Sequence, residues 1–190
     1  MTPRLQNIAS HRIVLRLIEH KLRTPLIVYH TDLSPAYLRE LYKEMHGESP
    51  KAGRVPEAQN ILSSRMRVIE ASLLMNLYLR YADREGARRA IQIEPLVDAY
   101  DAYLQIRAGM ADKNLLDINE AWVLARQYRS EELSASRCAP CAAVFFTVPD
   151  QKVETNCPAC GVQAGAGGAA DEPEGETSWT DVHGQVVLAF

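Results

Sequence analysis

Cys138-Ala139-Pro140-Cys141 and Cys157-Pro158-Ala159-Cys160 decide how this chain is read. The two C-x-x-C pairs stand fifteen residues apart and hold all four cysteines of the 190-residue sequence. A tight turn lets both sulfurs of one pair reach the same ion, and a hairpin between the pairs completes a tetrahedron of thiolates. Four protein ligands leave no position for water. The pattern therefore predicts one structural zinc ion held by Cys138, Cys141, Cys157 and Cys160. Two disulfides would suit a secreted chain, which nothing else in the sequence suggests. A thioredoxin-like redox pair needs a single C-x-x-C between a strand and a helix; here there are two, with helical sequence before the first. Cysteine ligands alone also suit an iron–sulfur site.

Downstream of this stretch the composition changes. Gly161 to Gly184 is rich in glycine and alanine and carries Asp171, Glu172, Glu174, Glu176 and Asp181. Such a segment buries too little apolar surface to offset its ordering entropy, so 163–190 is expected to be a disordered acidic tail ending in the apolar Val186–Phe190.

Upstream, 1–134 reads as a helical domain. Leu5, Ile8, Leu15, Ile18 and Leu22 recur at helical spacing, widened by Ile13, Val14 and Leu17, and Thr24-Pro25 is expected to end that helix. Leu26-Ile27-Val28-Tyr29 suits either helix or strand. Ser34 then reads as an N-cap with Pro35 in the first turn, and Gly47 as the stop, of a helix over Pro35–His46 that buries Leu38, Leu41, Tyr42 and Met45. Together, 26–47 forms a helix-turn-helix-like unit. Its second helix offers Arg39 and Lys43 to a DNA groove, interleaved with Glu40 and Glu44, which carry the wrong sign for phosphate and suit helix-stabilising pairs instead. The loop Ser49–Pro56 adds Lys51 and Arg54.

A long helix is expected from that loop to about Tyr81, with Met66, Ile69, Leu73, Leu74, Leu77 and Tyr78 buried and Asp83–Gly86 as its break. Pro95 opens a helix carrying Leu96, Tyr100, Tyr103 and Leu104. A last helix, about Leu115–Leu133, buries Ile118, Ala121, Trp122 and Ala125, with Trp122 read as core. The fold class is thus mainly α: a multi-helix domain with a helix-turn-helix-like N-terminal part and a small four-cysteine, zinc-ribbon-like unit over 135–162.

The formal net charge is −3, which argues against a simple polybasic binder of nucleic acid. Its distribution is uneven. Met1–Arg67 carries eleven Lys/Arg against six Asp/Glu, a net +5, and the remainder ten against eighteen, a net −8. The first third is the electropositive end. The cysteine unit offers no positive surface: four thiolates around one Zn²⁺ sum to −2, and Asp150 and Glu154 offset Arg137 and Lys152. It reads as a metal-closed fold unit docked on the last helix. No apolar run is long enough for a membrane span, and Arg12, Arg16, Glu19 and Lys21 interrupt any signal-peptide core, so a cytoplasmic, membrane-free protein is expected. No phosphate-binding glycine loop, H-E-x-x-H or G-x-S-x-G is present, which leaves no positive sign of an enzyme.

Several blocks resemble the FlhC family of flagellar transcriptional regulators. They are Leu33–Gly47 with Ser49–Gly53, Glu70–Asn76, Ala99–Leu104 and Ala121–Arg126, followed by the two cysteine pairs at a matching place. The resemblance runs from about Leu5 to Cys160. It implies a bacterial, cytoplasmic, zinc-containing activator that works in a hetero-hexamer with a smaller helical partner, FlhD, binds promoter DNA and recruits RNA polymerase. The four family cysteines that bind zinc correspond to Cys138, Cys141, Cys157 and Cys160. Two departures stand out. Glu57-Ala58-Gln59-Asn60-Ile61-Leu62 replaces an aromatic-rich stretch, and the tail is acidic where family members carry a basic segment.

Overall fold

The computed structural model describes residues 3–109, 114–151, 153 and 156–161, with side chains from His11 onward; the expected acidic tail lies outside this set. Among the described residues the protein is mainly helical, with eight helices and one two-stranded sheet.

The N-terminal helix α1 (Pro3–Glu19) packs through Val14, Leu17 and Ile18, all fully buried, with Ile13 beside them. Leu15 points outward at 43% exposure, against the sequence expectation. Thr24-Pro25 starts a helix instead of ending one. The chain leaves α1 through Lys21 in the left-handed region (φ 62), and α2 (Thr24–His30) begins with Pro25 in its first turn, where a missing N–H costs nothing. The ambiguous run 26–29 is therefore helical. The next helix, α3 (Pro35–His46), forms as its caps dictate. The Ser34 hydroxyl accepts the Tyr37 N–H, and Gly47, at φ 69, donates its N–H to the Lys43 carbonyl. Leu38 and Tyr42 are buried and Leu41 is half-buried, but Met45 is exposed.

The single long helix expected next is two. A short α4 (Ala58–Ile61) stops at Leu62, and α5 (Arg65–Tyr81) restarts with Ser64 as its N-cap, the hydroxyl accepting the Arg67 N–H. Two serines in succession, Ser63-Ser64, favour such a restart over helix continuation. Met66 is exposed; the buried face of α5 runs through Val68, Ala71, Leu74, Met75, Leu77 and Tyr78, and also takes in Glu70 and Ser72. Asp83, expected only as a breaker, caps another short helix, α6 (Arg84–Arg89), by accepting the Gly86 N–H.

Two further helices complete the core. In α7 (Ile93–Ile106), Leu96, Val97, Ala99, Tyr100 and Tyr103 are buried against α5. The last helix, α8 (Ile118–Arg129), is shorter than its apolar pattern suggests. Asp117 and Glu120 form a capping box that fixes its start, and the chain leaves it at Ser130 to enter the sheet. Trp122 is buried, as its spacing predicts, and its indole N–H donates to His30 Nε2 at 2.8 Å. Three residues earlier on the same helix face, Asn119 accepts the Arg23 N–H and donates to the Lys21 carbonyl. Thus α8, from the centre of the bundle, holds both ends of α2. On the other side of α1, Arg16 pairs with Asp98 (2.8 Å) and Asp101 (2.5 Å), and His20 Nε2 meets Asp101 at 2.5 Å, tying α1 to α7.

The strands β1 (Ser134–Arg137) and β2 (Val144–Thr147) pair antiparallel, Ala135 opposite Phe146 and Arg137 opposite Val144. Alternation along β2 divides its two aromatics. Phe146 joins the helical core, and Phe145 joins a small separate cluster with Cys138 and Cys157.

Candidate metal centre and nucleic-acid interface

The first cysteine pair occupies the connection between β1 and β2. Ala142 donates its N–H to the Cys138 carbonyl at 2.8 Å and stands at φ 58. The second pair repeats this turn: Gly161 donates to the Cys157 carbonyl at 2.8 Å and stands at φ 74. Each turn puts one residue just past its second cysteine into the left-handed region, which only glycine adopts without cost. Two like knuckles thus face each other.

All four sulfurs lie within 4.8 Å of one another. Cys138 Sγ is 3.5 Å from Cys160 Sγ, and Cys141 Sγ is 3.5 Å from Cys157 Sγ, so each close contact crosses from one knuckle to the other. A disulfide would need about 2 Å, and the four thiols are free. Thiolates on a tetrahedral ion at about 2.3 Å stand roughly 3.8 Å apart, which this cluster accommodates. Cys138 and Cys157 are buried, while Cys141 and Cys160 reach the surface.

The thiols differ in acidity. At Cys157 burial opposes ionisation, but the N–H groups of Cys160 and Ala159 and the neighbouring Cys141 and Cys138 bring it down to about 7. The Cys141 N–H favours the Cys138 thiolate; burial and the adjoining sulfurs prevail, and Cys138 is pushed up to about 12. Four sulfurs this close cannot all ionise unaided. A bound cation removes that conflict, so the donor set fits a metal ion.

The unit is held mainly by α5, and not by the last helix as the sequence suggested. Phe146 donates its N–H to Ser72 Oγ (3.1 Å), Asn76 Nδ2 donates to the Val144 carbonyl (3.0 Å), and Arg65 donates to the carbonyls of Pro158 (2.6 Å) and Ala159 (3.1 Å). From α8, the edge of the Tyr128 ring meets Phe146. A strand, β1, stands between the last helix and the first pair.

The four basic candidates are all exposed. Arg39 and Lys43 lie one turn apart on α3, and Arg39 Nε donates back to the Pro35 carbonyl at 3.1 Å. Among the described residues no ion pair links either of them to Glu40 or Glu44. Lys51 and Arg54 lie in the loop between α3 and α4. That loop is held at two points: Lys21 meets Glu48 at 3.0 Å, and Arg23 donates to the Gly53 carbonyl at 2.5 Å. No hydrogen bond or ion pair among the described residues joins the α3 pair to the loop pair.

Sequence reading missed the polar core. Glu70 is 1% exposed; it meets Arg107 at 2.8 Å and accepts the Tyr103 hydroxyl at 2.7 Å. Tyr103 accepts the Leu116 N–H, and Tyr100 donates to the Leu116 carbonyl. Burial first, then the adjacent Glu70, hold the Tyr103 phenol above its ordinary range, so it stays a donor. Nearby, Arg67 pairs with Glu120 and donates to the carbonyls of Asn114 and Leu115.

Fold and site together define a helical protein with a four-thiol metal knuckle packed against its longest internal helix. The chain matches the family described as flagellar transcriptional activator (FlhC) over residues 4–172. It belongs to the FlhC family. Similar proteins include the flagellar transcriptional regulator FlhC of Paraburkholderia atlantica, 32% identical over 133 residues, covering 70% of this chain and 60% of that protein. That of Proteus mirabilis is 31% identical over 137 residues, covering 72% and 69%. That of Variovorax paradoxus (strain S110) is 27% identical over 184 residues, covering 95% and 90%. No helix among the described residues is long and apolar enough to cross a membrane.

Proposed function

We propose that this chain is the zinc-containing, DNA-binding subunit of a transcriptional activator of flagellar operons. It acts in the cytoplasm in a hetero-oligomer with an FlhD-like partner, a hetero-hexamer by family resemblance, and recruits RNA polymerase. The observation that carries the reading is family membership over residues 4–172 together with four sulfurs gathered within 4.8 Å. Its work is positioning, with no bond chemistry. Cys138, Cys141, Cys157 and Cys160 would hold one Zn²⁺, and sulfurs this close suit a single small ion better than a cluster. Zinc supplies folding energy to a unit whose own apolar cluster, among the described residues, is Cys138, Phe145 and Cys157 with Ala143 beside them. Basic side chains, with Arg39, Lys43, Lys51 and Arg54 as candidates, neutralise promoter phosphates.

A second reading is a zinc-stabilised interaction scaffold with no DNA contact of its own. The even balance of Arg39 and Lys43 against Glu40 and Glu44 on α3 favours it. Co-purification with the FlhD-like protein, followed by footprinting on a flagellar promoter, separates the two. The activator reading expects a protected promoter region and about one zinc per chain under reducing conditions. Arg39→Ala with Lys43→Ala should weaken the footprint while zinc is retained. A stable complex that protects no DNA would favour the scaffold.

A further inference from the structure

The end of α5 and α6 carry four exposed arginines within ten residues: Arg80, Arg84, Arg88 and Arg89. The charge count along the sequence hid them inside a net-negative remainder. We propose that these arginines form a phosphate-binding face for duplex DNA, distinct from α3. The proposal rests on the reading of the chain as a DNA-binding protein.

The local acids offset only half of this charge. Asp83 is occupied as the N-cap of α6, its carboxylate accepting the Gly86 N–H at 2.7 Å. Glu85 meets Arg89 at 3.4 Å with both side chains about four-fifths exposed, where such a pair contributes little. Among the described residues Arg80 and Arg84 make no ion pair. The stretch from Arg80 to Arg89 therefore keeps a net +2, whereas Pro35–His46 balances to zero.

Helix-end electrostatics explain part of this arrangement but not Arg84. Arg88 and Arg89 in the last turn of α6 complement its negative end. Arg84 is the first residue of the same helix, where a cation meets the positive end, and it stands one turn from Arg88, a like charge. Both features oppose folding and are relieved by a polyanion.

The face is also preorganised. Ala87 is fully buried, and the Gln92 side chain clamps Asp83, accepting its N–H at 3.2 Å and donating to its carbonyl at 2.8 Å. A Cβ on Gly86 would fall 2.4 Å from Gln92 Nε2, so α6 sits as close to this clamp as backbone allows. The Arg88 guanidinium lies 5.9 Å from the centre of the Tyr128 ring on α8. Arg88, held this way, presents its planar fork to a phosphate oxygen without first being ordered.

The test uses the full chain in complex with its FlhD-like partner, titrated with a flagellar promoter fragment and with an unrelated duplex of equal length at several salt concentrations. Arg80→Gln with Arg84→Gln should lower affinity for both duplexes and reduce the slope of log K against log salt by about 1.8, or about 0.9 per lost phosphate contact. Arg80→Lys with Arg84→Lys, which keeps the charge, should retain the wild-type slope. Unchanged slope and affinity in the glutamine variant, while wild type binds with salt dependence, would overturn this face and leave the DNA-binding reading standing. A glutamine variant that keeps its slope but loses its partner would assign the face to a protein contact and overturn the proposal equally. No salt-dependent binding by wild type would remove the underlying reading and this face with it.

Discussion

Arg107 meets Glu70 at 2.8 Å, their side chains 15% and 2% exposed, so the carboxylate has almost no water to fall back on. Glu70→Ala leaves the guanidinium buried without its carboxylate and Tyr103 without its acceptor. The expected cost is about 3–5 kcal/mol, read as a lower urea midpoint at constant slope. Glu70→Gln keeps the Tyr103 bond and should cost less. His30 makes a different residue-level prediction. Burial holds its imidazole below the ordinary value, and its Nε2 must stay unprotonated to accept from Trp122. A lowered pKa in the folded state means that the unfolded chain binds the proton first, so this contribution is complete above the unfolded value and is lost as pH falls below it. The difference in Tm between wild type and His30→Asn should therefore shrink between about pH 7.5 and about pH 5.5. A difference that does not vary with pH would contradict the assignment. The cysteine site was legible in the sequence because C-x-x-C spacing is local chemistry. The Glu70 and His30 contacts were not, because their partners lie on distant helices and a lone carboxylate in an amphipathic pattern reads as solvated.

At the level of elements, legibility followed the caps. The Ser34–Gly47 helix was read to the residue because both of its ends carry side-chain or glycine signals. Where apolar periodicity alone was used, boundaries slipped. The apolar run up to Tyr81 hides the restart at Ser64, Asp83 caps α6 where the pattern suggests a break, and α8 is shorter than its pattern suggests, its start fixed by Asp117 and Glu120. Spacing places Met45, Met66 and Leu15 inside, yet they lie outside, because helix orientation is set by neighbours that the pattern cannot see. The capping box at α8 matters beyond its helix, since α8 carries Asn119 and Trp122 and through them positions α2. Asp117→Ala should cost about 1 kcal/mol in denaturant unfolding, with Asp117→Ser close to wild type. An alanine variant as stable as wild type would show that tertiary packing alone defines this end.

For the whole molecule, the arrangement separates folding chemistry from electrostatic contact. The cysteine unit is fastened to α5 through Ser72, Asn76 and Arg65, while exposed basic residues lie on α3, on the loop after it, and on α6. The sequence revealed the first basic region as an excess of charge and concealed the second, because summing over a long acidic remainder cancels a local cluster that folding keeps together. Losing one thiol should act through the fold unit. Cys157→Ser should abolish zinc binding and loosen Phe145 while leaving most helical circular dichroism in place, and DNA binding should weaken indirectly. Retained stoichiometric zinc would contradict a four-thiolate site. On the proposed function, this chain and its partner grip promoter DNA electrostatically. The most direct test is the affinity of the co-purified complex for a flagellar promoter fragment across a salt series. Log K should fall linearly and steeply with log salt, with tighter binding to the promoter than to an unrelated duplex. Binding that is absent, or indifferent to salt, would contradict it.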